Sequence, residues 1–280
     1  MFENSLKIKN WKTCPELRVG LKIALIALCF FSLSNQASAA TIAKPSNFLT
    51  VNQGLVGYWT FDGPDMLTNV RDRSGQGNHG SLVGQTSTTS VQGKLGQALR
   101  FNGSAGSGDY VNIGDKLNTL AVPFTLSAWM YTNTPLGSTQ GIVETDQGGS
   151  PSVYSGAILF KQITTGKVGV QYGDNTACSS AGIRAKVGTT VLTVGKWYHV
   201  VGVVRGATDM DIYVNGVDDG GSYSGSGGSM VNTTGSLRLG TFTDCSGTGN
   251  YSINGGVDDV RIYNRALSAT EVKQLYNLGR

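Results

Sequence analysis

Apolar and polar positions alternate with a period of two in ten short stretches of the chain: 55–61, 98–101, 110–113, 124–131, 157–163, 168–172, 197–204, 210–214, 236–240 and 257–263. Successive side chains of a strand point to opposite faces, so this period predicts strands that each bury one face. Turn-forming clusters separate them, among them 72–77 and Asn102-Gly103. Val214-Asn-Gly-Val217 carries the strongest hairpin signal, because Asn and Gly tolerate the positive φ of a tight two-residue turn. The Gly/Ser tract 220–228 predicts a mobile loop. Only the C-terminus changes period. There Ser268 and Glu271 are spaced as a capping box, and Leu267 and Val272 as a hydrophobic staple. Val272, Leu275 and Tyr276 share one helical face, and Gly279 stands where a C-cap is expected. The fold class is all-β: a two-sheet antiparallel sandwich with one short C-terminal helix covering part of it.

Composition supports this reading and narrows the partners. Glycine is 40 of 280 residues, about twice the usual ~7%, as many tight turns require. A hydrophobic fraction of 39% suffices for a core, which excludes bulk disorder, and the glycines have no three-residue period, which excludes collagen. The net charge of +4 is concentrated at the N-terminus: removing residues 1–39 leaves 17 basic and 16 acidic side chains. A near-neutral body without a Lys/Arg run offers nucleic acid no electrostatic footprint. Within 1–39, an eleven-residue apolar run, 23–33, follows a basic stretch and leads to Ala37-Ser38-Ala39. That is the pattern of a cleaved signal peptide, too short to span a membrane. The expected organisation is a signal peptide over 1–39, a flexible lead-in over 40–53 and one domain over 54–280. The mature protein is expected to be secreted or periplasmic, without membrane insertion. Cleavage leaves two cysteines, Cys178 and Cys245, in polar loops of an exported chain, and they are expected to pair.

The strand motifs resemble a family. Gly57-Tyr-Trp-Thr-Phe-Asp62 is followed by Asp72-Arg-Ser-Gly-Gln-Gly-Asn78-His-Gly80, then Ala98-Leu-Arg-Phe-Asn-Gly103 and Asp109-Tyr-Val-Asn-Ile113. Phe124-Thr-Leu-Ser-Ala-Trp-Met130, Lys196-Trp-Tyr-His-Val-Val201 and Asp211-Ile-Tyr-Val-Asn-Gly216 come next, and residues 256–268 close the series. In this order they resemble bacterial laminin-G-like jelly-roll domains of the concanavalin A-like lectin/glucanase superfamily, over roughly residues 54–278. The resemblance implies a jelly-roll sandwich. It also implies one structural Ca²⁺, with Asp62, Gly77, Asn78 and Asp258 in the matching region. Strand alternation would send Asp258 and Asp259 to opposite faces. The superfold hosts lectins, glycosidases and adhesive modules, so it names no ligand.

Trp59, Trp129 and Trp197 lie inside alternating strands and are expected to pack in the core, with His199 a structural histidine. Loop-borne aromatics are the better surface candidates: Tyr154, Tyr172, Tyr223 and Tyr251, with Asp146, Asp174, Asn175 or Asp244 to bind hydroxyls. Catalysis is not expected. Glycosidases need paired carboxylates, and after residue 39 the chain has two glutamates, Glu144 and Glu271. Glu144-Thr-Asp146 resembles the start of the glucanase strand motif, but Gly149 replaces its closing carboxylate. What remains is an exported, non-catalytic module for an extracellular glycan, with a protein-contacting adhesive domain as the alternative.

Overall fold

The computed structural model describes residues 50–280 apart from 68, 85–88, 104–107, 135–138, 148–151, 163 and 246–250. The expected signal peptide and Gly149 lie outside the described residues. Alternating strands build two eight-stranded antiparallel sheets. The first runs in the order β13 (Val217–Asp218), β12 (Asp209–Val214), β11 (Trp197–Gly206), β6 (Phe124–Thr132), β16 (Asn254–Tyr263), β4 (Gln97–Asn102), β3 (Thr89–Gln92), with β1 (Leu55–Trp59) also on β16. The second runs β14 (Ser222–Ser224), β10 (Ile183–Val191), β9 (Lys167–Gly173), β8 (Ala157–Lys161), β7 (Gln140–Gln147), β15 (Ser236–Leu239), β5 (Tyr110–Gly114), β2 (Ser81–Val83).

Between the sheets lies one core, to which alternate residues contribute: Leu126, Ala128 and Met130 from β6, Leu99 and Phe101 from β4, Val168, Val170 and Tyr172 from β9. Trp59 is fully buried in this core, as expected. Asn215 (φ 53°) and Gly216 (φ 74°) make the turn between β12 and β13, also as expected.

A second apolar cluster sits on the outer face of the first sheet. Helix α1 (Ala269–Leu278) places Val272 and Leu275 on Val201, Val203, Tyr213 and Tyr263. Its capping box forms as the spacing predicts, with Ser268 accepting from the Glu271 N–H and Glu271 from the Ser268 N–H. Glu271 also receives both arms of the Arg265 guanidinium, at 3.0 and 2.7 Å. The same guanidinium donates to the carbonyls of Thr50 and Gln53, and Val51 is buried in the helix-side cluster. Residues 50–53, expected as the end of a free lead-in, are therefore docked.

The tract 220–228 differs from expectation as well. Part of it is β14, an edge strand paired with β10. Tyr223 holds it, because its hydroxyl accepts from the Met210 N–H (2.9 Å) and donates to the Met210 carbonyl (3.1 Å) of the opposite sheet.

Candidate ligand-binding site

The tyrosine set expected from the loops comes together only in part: the Tyr251 hydroxyl donates to Asp244 (3.3 Å), and burial, then the nearby Asp244 and Tyr251, raise the Tyr154 phenol. Tyr172 faces inward on β9 and is buried in the core, because alternation aligns it with Val168 and Val170. The Tyr223 hydroxyl is engaged by Met210, and the Lys186 ammonium lies 5.2 Å from its ring centroid. Tyr154 is half-buried; its backbone bonds to Ala177 and Asn175. The acids have structural partners too. Asp146 is buried and accepts from the Thr233 N–H and hydroxyl. Asp174 accepts from Thr176 and from the Gly228 N–H, which holds its carboxyl below the usual range. The cysteines do pair: Cys178 and Cys245 form a disulfide with a Cα–Cα distance of 5.6 Å.

That disulfide tethers a segment that crosses the outer face of the second sheet. A Cβ on Gly141 of β7 would meet the Thr241 backbone at 2.3 Å, so glycine is what lets the segment approach. Glu144, three residues on, is 3% exposed and receives the Thr243 N–H at 3.3 and 3.2 Å on its two oxygens. Burial, against that hydrogen bond and Arg238, raises its carboxyl to about 8.

The acids expected to hold calcium converge only in part. Asp62 accepts from the Gln97 N–H (2.8 Å), and Asp258 from the N–H groups of Lys94 and Leu95 (2.8 Å each), so both carboxylates close the turn between β3 and β4. Asp258 Oδ1 is buried without a partner, and burial raises its carboxyl to about 7. Asn78 is committed elsewhere: its carbonyl accepts from Trp59 Nε1 (3.0 Å) and its Nδ2 donates to the Val56 carbonyl (2.7 Å). Among the described residues, no three His, Cys, Asp or Glu side chains are gathered as a metal site needs. Asp62 and Asp258 bring two carboxylates to this turn, and a Ca²⁺ cage of six to eight oxygens would draw the rest from carbonyls, amides and water. Asp259 corrects the strand geometry. Its φ of 50° and a register shift against β6 mark a β-bulge. The bulge lets Asp259 pair with Arg261 (3.1 Å) on the outer side, while Val257 and Val260 on either side of the two acids face the core.

Helix α1 covers part of the outer face of the first sheet. Trp129 is buried beneath the helix, with Tyr276 at 5.7 Å and His199 at 5.2 Å between ring centroids. His199 is structural, as expected: Ser127 Oγ lies 3.1 Å from its Nε2, and burial lowers its pKa to about 3. Trp129 is thus packed, though under the helix and not between the sheets.

One rung further the helix has ended. Four strands there place Arg100, Gly256, Tyr131 and Trp197 side by side, each the register partner of the next. All four face outward, since Leu99, Val257, Met130 and Tyr198 beside them face the core. Gly256 contributes no side chain, so the rung has a gap, and the far edge of the Trp197 indole leans across it, 2.9 Å from where a Cβ would stand. Trp197 and Tyr131 are half-buried, with centroids 5.6 Å apart at 53°. They wall a cleft of about 350 Å³ together with Val91, Gln92, Arg100 and Asn133 over Gly255 and Gly256. This corrects the expectation of a core Trp197. The sequence did carry a signal for the cleft: two adjacent glycines inside a strand mark a place where something approaches closely.

A larger cavity of about 960 Å³ opens between β1, β16 and α1. Its aromatic ring, Tyr58, has one face taken by the Arg261 guanidinium, 4.1 Å from the centroid. Of its charges, Arg261 is paired with Asp259 and Arg73 with Asp65, and Asp62 accepts from the Gln97 N–H. The smaller cleft is the one that offers an aromatic pair to a ligand.

Residues 105–273, more than half of the chain, match the model of the Laminin_G_3 family of the concanavalin A-like lectin/glucanases superfamily. A stretch of 186 residues is 28% identical to part of the adhesion G-protein coupled receptor V1 of Danio rerio; it takes in 64% of this chain and 3% of the receptor. Among solved structures, domain 4 of AbnA, an extracellular arabinanase from Geobacillus stearothermophilus solved with arabinotriose, superposes with a TM-score of 0.57. It is 20% identical, and the match covers 81% of this chain and 98% of that domain. A structure of botulinum neurotoxin type C, whose cell entry is described as dependent on two ganglioside molecules, superposes at 0.59. It is 12% identical over 83% of this chain and 53% of that one. At these identities the superpositions establish the shared fold. The chain belongs to the Laminin_G_3 family of concanavalin A-like lectin/glucanase domains.

Proposed function

We propose that the protein is an exported, non-catalytic glycan-binding module, with the glycan seated on the Trp197–Tyr131 cleft. The observation that carries this reading is the uncovered rung: two half-buried aromatic rings beside a side-chain gap, flanked by planar polar side chains. The apolar C–H face of a sugar ring packs on an aromatic ring by dispersion, and a rigid ring is ordered at little entropic expense. Gln92 and Asn133 each bring a donor and an acceptor for hydroxyls. A volume near 350 Å³ sits at the small end of ligand pockets, ~300–1,000 Å³, which suits a short sugar segment. The arabinotriose and ganglioside named with the structural relatives are consistent with this use. The disulfide favours an oxidising compartment. Non-catalytic action is supported by Glu144, buried beneath Thr243, and Glu271, held by Arg265 and its capping box.

The test is a broad glycan array probed with the exported chain and with Trp197→Ala. Binding that falls at least about tenfold in the variant supports the reading. A clean negative, alongside capture of a defined cell-surface protein, would make this an adhesive domain. Polysaccharide cleavage abolished by Glu144→Gln would make it an enzyme.

A further inference from the structure

We infer that the cleft selects saccharides bearing a carboxylate, such as uronic or sialic acids; this rests on the glycan-binding reading of the same cleft. Arg100 is the one charged side chain among the residues that wall it, and no Asp or Glu is among them. The nearest acid along the sheet, Asp258, sits one rung away with Oδ2 turned to the Lys94 and Leu95 amides.

Register fixes the geometry. Arg100 and Tyr131 flank Gly256 on either side, so their backbones are two strand spacings apart, roughly 10 Å. Between them the outer edge of the Trp197 indole lies over Gly256, so the aromatic surface reaches toward Arg100. A sugar ring lying on Tyr131 and Trp197 can direct its ring carboxylate past that edge to the guanidinium, which lines the same cleft. The planar fork of an arginine matches the two oxygens of a carboxylate, an acceptor that a neutral sugar lacks. An uncharged ring would keep the stacking contact and lose the ion pair.

The experiment titrates the exported chain, by tryptophan fluorescence and calorimetry, with matched pairs: oligogalacturonate, hyaluronan oligosaccharide and sialyllactose, each against its carboxyl methyl ester. The expected result is a preference on the order of tenfold for at least one free acid over its ester, shrinking as salt is raised because the pair is exposed. Arg100→Gln should bring the affinity for that acid down to the ester's, and Arg100→Lys should retain part of the difference. Trp197→Ala should weaken acid and ester alike. Equal affinity for acid and ester in every pair, with Trp197→Ala still weakening both, would overturn the carboxylate selection and leave glycan binding standing. Binding of glycans that is indifferent to Trp197→Ala would overturn both.

Discussion

Trp129 and Trp197 stand on neighbouring rungs of the same outer face and differ in what lies above them. Replacing Trp129 by Ala removes a buried ring from beneath α1 and should reduce stability by ~3–5 kcal/mol in urea unfolding. Trp197→Ala, at a half-exposed site, should lower it by only about 1 kcal/mol while abolishing glycan binding. Two buried titratable groups set opposite pH limits. The folded pKa of Glu144, about 8, lies above its ordinary 4.5, so its contribution is fully present below pH 4.5 and is lost as pH rises through 8. His199 is depressed from 6.5 to about 3, so its contribution is present above pH 6.5 and is lost as pH falls through 3. Thermal melts should therefore show Glu144→Gln losing less stability than the parent between pH 5 and 9, and His199→Gln losing less between pH 6.5 and 3. An unchanged profile in either variant would sink that assignment. That Trp129 packs was legible from its alternating strand; that it packs under a helix, and that Trp197 does not share that cover, was not. Both lie in alternating stretches, and alternation reports which face a side chain takes, not what covers that face.

At the scale of elements, the gap in the open rung depends on one glycine. A valine at Gly256 would place its Cβ 2.9 Å from the Trp197 ring edge and its methyl groups in the cleft. Gly256→Val should therefore abolish ligand binding while circular dichroism still reports a folded sandwich. Binding that survives would mean the ligand sits elsewhere. Local patterns did foretell the long alternating strands, the Asn215-Gly216 turn and the capped helix, because each is specified by residues a few positions apart. β10 was harder to see. Ile183-Arg-Ala-Lys-Val187 alternates, yet the polar Lys186 is buried, because its ammonium donates across the sandwich to the Met210 carbonyl at 2.7 Å. Tyr223 makes the same point, since an edge strand closed by a partner on the other sheet leaves no local trace.

For the whole molecule, the disulfide closes a separation of 67 residues between two segments of the second sheet's outer side. Loop-closure entropy at that length is worth roughly 4 kcal/mol, so replacing both Cys178 and Cys245 by Ser should lower unfolding stability by about that amount. Thiol titration of the native protein should find no free cysteine. Calcium should raise the melting temperature by several degrees and a chelator should reverse the rise, since Asp258 Oδ1 is buried without another partner; superimposable melts would rule out the metal site. The cysteine pairing was readable from the count and setting of the residues. The placement of the tyrosines was not, because Tyr172 and Tyr223 belong to strands β9 and β14, the first turned into the core and the second held by Met210 of the other sheet.

Helix α1 acts as a ruler laid along β6. It starts beside Thr125, whose hydroxyl accepts the Leu267 N–H, and ends with Gly279 on the Trp129 ring. Ten residues rise about 15 Å, close to the ~14 Å that four strand residues span from Thr125 to Trp129. One more turn, about 5.4 Å, would carry the helix most of the way to the Tyr131 rung. A purification tag or fusion partner attached after Arg280 would thus emerge beside the mouth of the cleft. Binding assays should be run on protein tagged at its other end, and a C-terminal helical extension offers a ready-made way to shut the site without altering any residue that lines it.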